Sequence, residues 1–145
     1  WSYHYCRRQW SLAENEKLRY GCLRRFEMAM VSAIRKNRLL RRKAKKLSIS
    51  NEENILAYSK GDCLFAFNFH PEKSYAEFFL PIEEAGEYAV VLATDDCDFD
   101  GQGRIAGDQH YQTEMDTDGR MGFRIYLPSR TAVVLKKVQK KEKTV

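Results

Sequence analysis

Seven consecutive residues, Cys63 to Phe69, leave this chain few folds to choose from. All are apolar except Asn68, and Phe65, Phe67 and Phe69 recur at every second position. A period of two lines those rings along one face of a β-strand. Leu64 and Ala66 make the other face apolar too, so both faces are expected to be covered, which puts the strand inside a sheet rather than at its edge. His70-Pro71 stops it, because proline has no N–H for the ladder. The run is too short for a core helix and too aromatic for a loop. The core of the second half of the chain is expected here.

The period of two holds from Asn54 onward. Strands are expected at about 55–59, 62–70, 75–80, 87–94, 110–114, 122–127 and 131–138. Lys60-Gly61, Pro71 to Ser74, Ala85-Gly86, Asp118-Gly119 and Pro128-Ser129 supply the turns between them. Short strands at near-regular spacing make the fold class mainly β, an antiparallel β-sandwich. Ahead of it the period is helical. Leu18, Cys22, Phe26, Met30 and Ile34 recur every four residues, with Leu23, Ala29 and Ala33 widening the stripe. This predicts one amphipathic helix from Ser11 to about Lys36. Ser11 or Asn15 is its candidate cap, and Glu14 and Glu16 suit the positive end of its dipole. Such a stripe needs a partner surface, and it is read as lacking one within this chain. The basic run Arg35 to Lys46 is read as a solvated helix end and linker, Ser48 to Asn54 as a junction, and Lys136 to Val145 as a charged tail that frays.

Composition narrows the function classes. At 145 residues and 43% apolar content, one average domain, or a small domain with an appendage, is expected. No apolar run approaches the roughly 20 residues of a membrane span, so no membrane partner is expected. The first residues lack the apolar region of a signal peptide. A start at Trp rather than Met suggests a piece of something longer. Cys6, Cys22, Cys63 and Cys97 form no C-x-x-C pair and have no His at finger spacing, so no metal is expected. Without a secretory signal they are read as reduced thiols, which favours the cytoplasm.

Several motif lookalikes fail on their own terms. Asp96, Asp98 and Asp100 with Gly101 imitate the start of an EF-hand loop, but Gly107 stands where a bidentate Glu is needed. An acidic turn is expected instead. Gly101-Gln102-Gly103 lacks the third glycine and the helix of a dinucleotide loop. His4, His70 and His110 are candidate bases, yet no G-x-S-x-G elbow accompanies them. Nothing sets one of Asp95, Asp96, Asp98 or Asp100 in a pocket that raises its pKa. No catalytic residue and no cofactor is expected. Trp1, Tyr3, Tyr5, Arg7, Arg8 and Trp10 suit sugar contact, since ring faces stack on sugars and Arg reaches hydroxyls; the alternative is packing against a larger body. The basic run would attract nucleic acid or an anionic membrane, but no aromatic platform interrupts it, which does not favour nucleic acid.

The order of motifs resembles one family. Trp1-Ser2-Tyr3-His4-Tyr5-Cys6-Arg7-Arg8-Gln9-Trp10 resembles the end of the catalytic barrel of the eukaryotic-type 1,4-α-glucan (glycogen or starch) branching enzymes. Leu18-Arg19-Tyr20 with Phe26-Glu27-x-Ala29-Met30 is similar to the barrel helix that follows. Phe67-Asn68-Phe69-His70-Pro71-x-Lys73-Ser74-Tyr75, Gly86-x-Tyr88, Val91-Leu92-x-Thr94-Asp95, Gly101-x-Gly103-Arg104 and Tyr126-Leu127-Pro128-Ser129-Arg130 resemble its all-β C-terminal domain. Asp100-Gly101-Gln102-Gly103-Arg104 departs from the family's Gly-Gly-His-Gly-Arg, and the basic run replaces a more apolar connection. The resemblance implies three parts: residues 1–47, the end of a (β/α)8 barrel with its last helix; 48–138, the C-terminal sandwich; and 139–145, a tail. It implies an α-glucan polymer as substrate, and formation of α-1,6 branches by retaining transfer. The Asp, Glu and Asp of that chemistry are expected upstream of Trp1, in a barrel that would also be the partner of this chain. A plastid location is the alternative implied for a starch-making source. Two readings stand beside this one: a free-standing carbohydrate-binding sandwich, and a basic nucleic-acid-binding adaptor.

Overall fold

In the computed structural model, which describes residues 3–7 and 9–139 without the side chains of His4 and Tyr5, the phenylalanine run is a central strand. It is β3, Cys63–Asn68, with β1 (Ala44–Ser50) and β2 (Ile55–Lys60) before it. There follow β4 (Tyr75–Pro81), β5 (Glu87–Ala93), β6 (His110–Gln112), β7 (Glu114–Met115), β8 (Met121–Leu127) and β9 (Thr131–Lys137). Among the described residues the strands form a six-stranded sheet, β1-β2-β3-β9-β5-β6, and a three-stranded sheet, β4-β8-β7, with every pair antiparallel. The two sheets bury one core between them. Ile55, Ala57, Leu64, Ala66, Val133 and Leu135 come from the large sheet, and Leu80, Phe123, Ile125 and Leu127 from the small one. The expected sandwich is therefore present.

Three expectations are corrected. The first concerns the linker: Arg35 to Lys46 is not one. It comprises the last residues of a helix, a 3-10 turn (Leu39–Arg41) and the first half of β1, which runs across the expected boundary at 47/48. Lysines hid the strand. Lys45 and Lys46 belong to an edge strand, where charge deters pairing with another molecule.

The second concerns the helix, which is broken. A single turn, α1 (Ser11–Glu14), precedes α2 (Tyr20–Lys36). Asn15 has extended backbone, and its Oδ1 accepts the Lys17 N–H at 3.0 Å. That local bond competes with helix continuation. Arg19, which makes no side-chain cap, holds the position where Ser11 or Asn15 was expected, and Leu18 falls in the break.

The third concerns the apolar stripe, which has a partial partner within the chain, although no residue of α2 is buried and Leu18 and Met30 stay exposed as expected of an incompletely covered stripe. The outer face of β3, β9 and β5 carries Phe65, Phe67, Val134 and Leu92, and α2 lies over it with Phe26, Met30, Ala33 and Ile34. Ile34 packs on a cluster formed by Leu39, Cys63 and Val134. Both faces of β3 are apolar because one meets the small sheet and the other meets a helix. Phe69 lies past the strand end and is 62% exposed, stacked on Phe67 at 5.6 Å. Met28 and Val31 on the far side of α2 stay exposed, as do Leu23 and Met30 of the stripe itself. No described helix is long and apolar enough to cross a membrane.

Candidate functional site

The loop after β5 shows what the acidic residues do. Asp95 is 3% exposed, and Arg104 grips it from both sides of its carboxylate. Arg104 Nη2 donates to Oδ1 at 2.7 Å, its backbone N–H donates to Oδ2 at 2.7 Å, and the Gln102 N–H adds a bond at 3.4 Å. Burial alone would raise the Asp95 pKa. The Arg104 guanidinium and the two backbone donors outweigh it and hold the carboxyl below its ordinary value. Gly101 lies directly on the Asp95 backbone, where a Cβ has no room, and Gly103 has φ +65°. Asp96 accepts the Asp98 N–H at 2.9 Å and so caps the 3-10 turn Cys97–Phe99. The Asp95 and Asp96 carboxylates thus hold the loop itself together.

The same loop reaches α2. Arg25 Nε donates to the Asp98 carbonyl at 2.8 Å, Arg19 pairs with Asp100 at 3.2 Å, and Phe26 meets Phe99 edge-on at 5.4 Å. Loop 95–104 thus clasps the helix to the sandwich. The His4 side chain lies outside the described residues, and the other two histidines have local duties. His70 Nδ1 accepts the N–H groups of Glu72 and Lys73, at 3.1 and 2.8 Å, and His110 Nδ1 lies 2.6 Å from Glu87. Among the described residues no three His, Cys, Asp or Glu side chains group as a metal site.

Of the sugar-contact candidates, Tyr3 is 85% and Trp10 62% exposed, and Arg7 is exposed. Trp10 borders the outer side of α2, beside Arg24, Met28, Val31 and Arg35. Trp1 and Arg8, like the Tyr5 side chain, lie outside the described residues. One structural residue escaped the sequence reading. Asn68, 1% exposed, donates to the carbonyls of Lys73 and Leu127 and accepts the His70 N–H, tying β3, the following turn and β8 together. Its only signal was a lone amide inside an apolar run.

Residues 48–138 match the family described as Alpha amylase, C-terminal all-beta domain. This chain belongs to that family. It is 36% identical over 137 residues to the 1,4-alpha-glucan-branching enzyme of Candida glabrata, covering 92% of this chain and 19% of the relative. To the enzyme of the same name from Emericella nidulans it is 39% identical over 137 residues, 92% of this chain and 20% of the relative. To that of Dictyostelium discoideum it is 37% identical over 140 residues, 94% and 21%. The chain therefore spans about a fifth of the length of these relatives. An alignment of 137 residues exceeds the family domain, so the similarity extends into the helical segment ahead of it. Gly101, Gly103 and Arg104 are fixed by sterics, φ and the Asp95 clamp, while Gln102 contributes only its backbone N–H.

The core of the domain holds one polar group without a partner among the described residues, the Tyr111 hydroxyl. The ring stacks on Phe123 at 5.2 Å, and burial pushes its pKa up to about 12. Tyr111→Phe is expected to raise stability by about 1 kcal/mol at neutral pH, because it removes an unsatisfied donor. Above pH ~10 the unfolded chain loses a proton that the folded chain keeps, so stability falls with pH until about 12. The variant lacks this loss. Urea unfolding at pH 7 and pH 11 reads both effects, and a variant weaker than the parent at both values would contradict them.

Proposed function

We propose that this chain is the C-terminal part of a 1,4-α-glucan branching enzyme and acts on an α-glucan polymer only as part of the longer enzyme. The observation that carries the reading is an alignment through 92% of the chain, helix and sandwich alike, to enzymes of that name. In this reading the residues through α2 end the catalytic barrel, the sandwich from β1 onward, 44–138, buttresses it, and 139–145 are a tail. The Asp, Glu and Asp that make and break glycosidic bonds stand upstream, which fits an acidic loop whose carboxylates are committed to Arg104 and to its own turn. All four cysteines are free, which supports a reducing compartment, the cytoplasm or a plastid.

A chimera tests the proposal. In the Candida glabrata relative, the segment aligned with this chain is replaced by these 145 residues. The chimera is expected to form α-1,6 linkages on amylose, whereas the relative lacking the segment, and the purified chain alone, form none. A soluble chimera no more active than the deletion removes the proposal, and branching by the chain alone would place the chemistry elsewhere.

The exposed rings of Tyr3 and Trp10 support a second, compatible reading, that the N-terminal segment Trp1 to Trp10 guides glucan chains. Retardation of the chain in glycogen gels should fall on Trp10→Ala. Equal mobility of parent and variant, with and without glycogen, would end this reading.

A further inference from the structure

A glucan is uncharged, and it leaves one feature of the chain without a role. Eight of the 25 Lys and Arg residues, and none of the 20 Asp and Glu, lie between Arg35 and Lys46, so the remainder of the chain carries a net charge of −3. The structure folds this run around one corner: the last turn of α2, the left-handed residue Arg38 at φ 51°, the turn Leu39–Arg41, and β1. Arg35 and Lys36 complement the negative end of the helix dipole. The other six have no such duty, and among the described residues only Lys45 pairs with a carboxylate, that of Glu83 at 2.6 Å.

Beside this corner an apolar cleft of about 270 Å³ opens between α2 and the outer face of the large sheet. Met30, Ile34 and Leu39 form its walls, and Tyr58, Phe65 and Phe67 its floor. Its lip is cationic. Lys60 enters the lining, and Lys46 stands opposite Tyr58 in the β1–β2 register, hence on the same face. Arg42 lies against Gly61, next to Lys60. Leu40, 83% exposed, stands at the mouth with Arg38 and Arg41 flanking its turn.

We infer that this corner docks an acidic peptide segment of another protein, with one large apolar side chain seated in the cleft between α2 and the sheet. The occupant follows from charge complementarity and from the shape of the apolar surface. Unpaired cations on the lip steer and select a negative partner. An apolar hollow bounded by aliphatic and aromatic side chains takes an anchor residue, the groove mode of peptide recognition. Nucleic acid fits less well, because base edges need polar partners and this lining offers few. A bilayer also fits less well, because its binding needs protruding apolar surface, whereas here only Leu40 protrudes and the rest is concave. The inference stands on the basic corner and the cleft, independently of the branching-enzyme reading.

The test is fluorescence anisotropy on the 145-residue chain. The probe is a labelled peptide of Glu and Asp around one central phenylalanine. The comparators are the same peptide with serine at the centre, oligo-dT, and vesicles of phosphatidylcholine with phosphatidylserine. The anchored peptide should bind saturably, and weaken as salt rises. The serine peptide should bind at least about tenfold more weakly, and so should the anchored peptide to Arg42→Glu/Lys46→Glu. Leu40→Ser, at an exposed position that leaves the core intact, should cost several-fold, with circular dichroism confirming the fold of each variant. Equal affinity for the anchored and serine peptides, absence of binding, or tighter capture of oligo-dT or vesicles that the peptide does not displace would each overturn the inference.

Discussion

Asp95→Ala is expected to destabilise the chain by about 3–5 kcal/mol, a large part of what holds an average domain together. The substitution strands the Arg104 guanidinium, 26% exposed, without its carboxylate and leaves two backbone donors, the N–H groups of Gln102 and Arg104, without their acceptor. The loss comes from the uncompensated partner more than from the ion pair itself, so Asp95→Ala/Arg104→Met should be less damaging than the sum of the two single changes. The pH dependence has a definite sign. The folded pKa of Asp95 is depressed, so its contribution is complete above the ordinary carboxylate value and is lost as pH falls through the folded one. Urea unfolding at pH 7 and pH 3 measures both. A cost below about 1 kcal/mol at pH 7 would show that the loop holds without the clamp. Because the same loop carries Phe99 and Asp98 against α2, the single mutant should also loosen the helix, visible as faster amide exchange in Tyr20–Lys36.

Phe123→Ala is expected to cost a similar amount, about 3–5 kcal/mol, for a different reason. Phe123 is 1% exposed, stands opposite Leu80 in the β4–β8 pair, and meets Tyr111 and Tyr88 of the large sheet at ring separations of 5.2 and 5.5 Å. Its removal opens a cavity between the sheets where neither backbone can collapse. Phe69→Ala, at an exposed ring beyond the end of β3, should stay within about 0.5 kcal/mol. Thermal and urea unfolding of the pair decide the matter: equal effects would mean that the two-sheet core is not where stability resides.

The sequence disclosed the features written in periodicity. β3, the strands after it and an amphipathic helix were legible because burial repeats at two or at nearly four residues. The features that depended on a distant partner were not legible. The lysines of β1 read as linker because nothing local says that Lys46 will sit opposite Tyr58. Phe26 and Ile34 looked partnerless because their partner is the outer face of a sheet completed by β9, some hundred residues on. The break after α1 follows from one Asn15 side-chain bond, which competes too closely with helix propensity to be read in advance. The acidic loop reads from the sequence only as an acidic turn. Its real task, holding Arg104 and touching α2, needed coordinates.

The position of β1 bears on how such a chain can be trimmed. A shorter version starting at Asn51, where the polar stretch invites a cut, would delete a whole strand and leave the backbone of β2 as a raw margin open to any passing strand. It would also strip α2 from Phe65 and Phe67, wetting a surface whose oiliness is tolerable only under a cover. The smallest piece that stands alone must therefore keep the helix, although the helix contributes nothing to either sheet's ladder of hydrogen bonds.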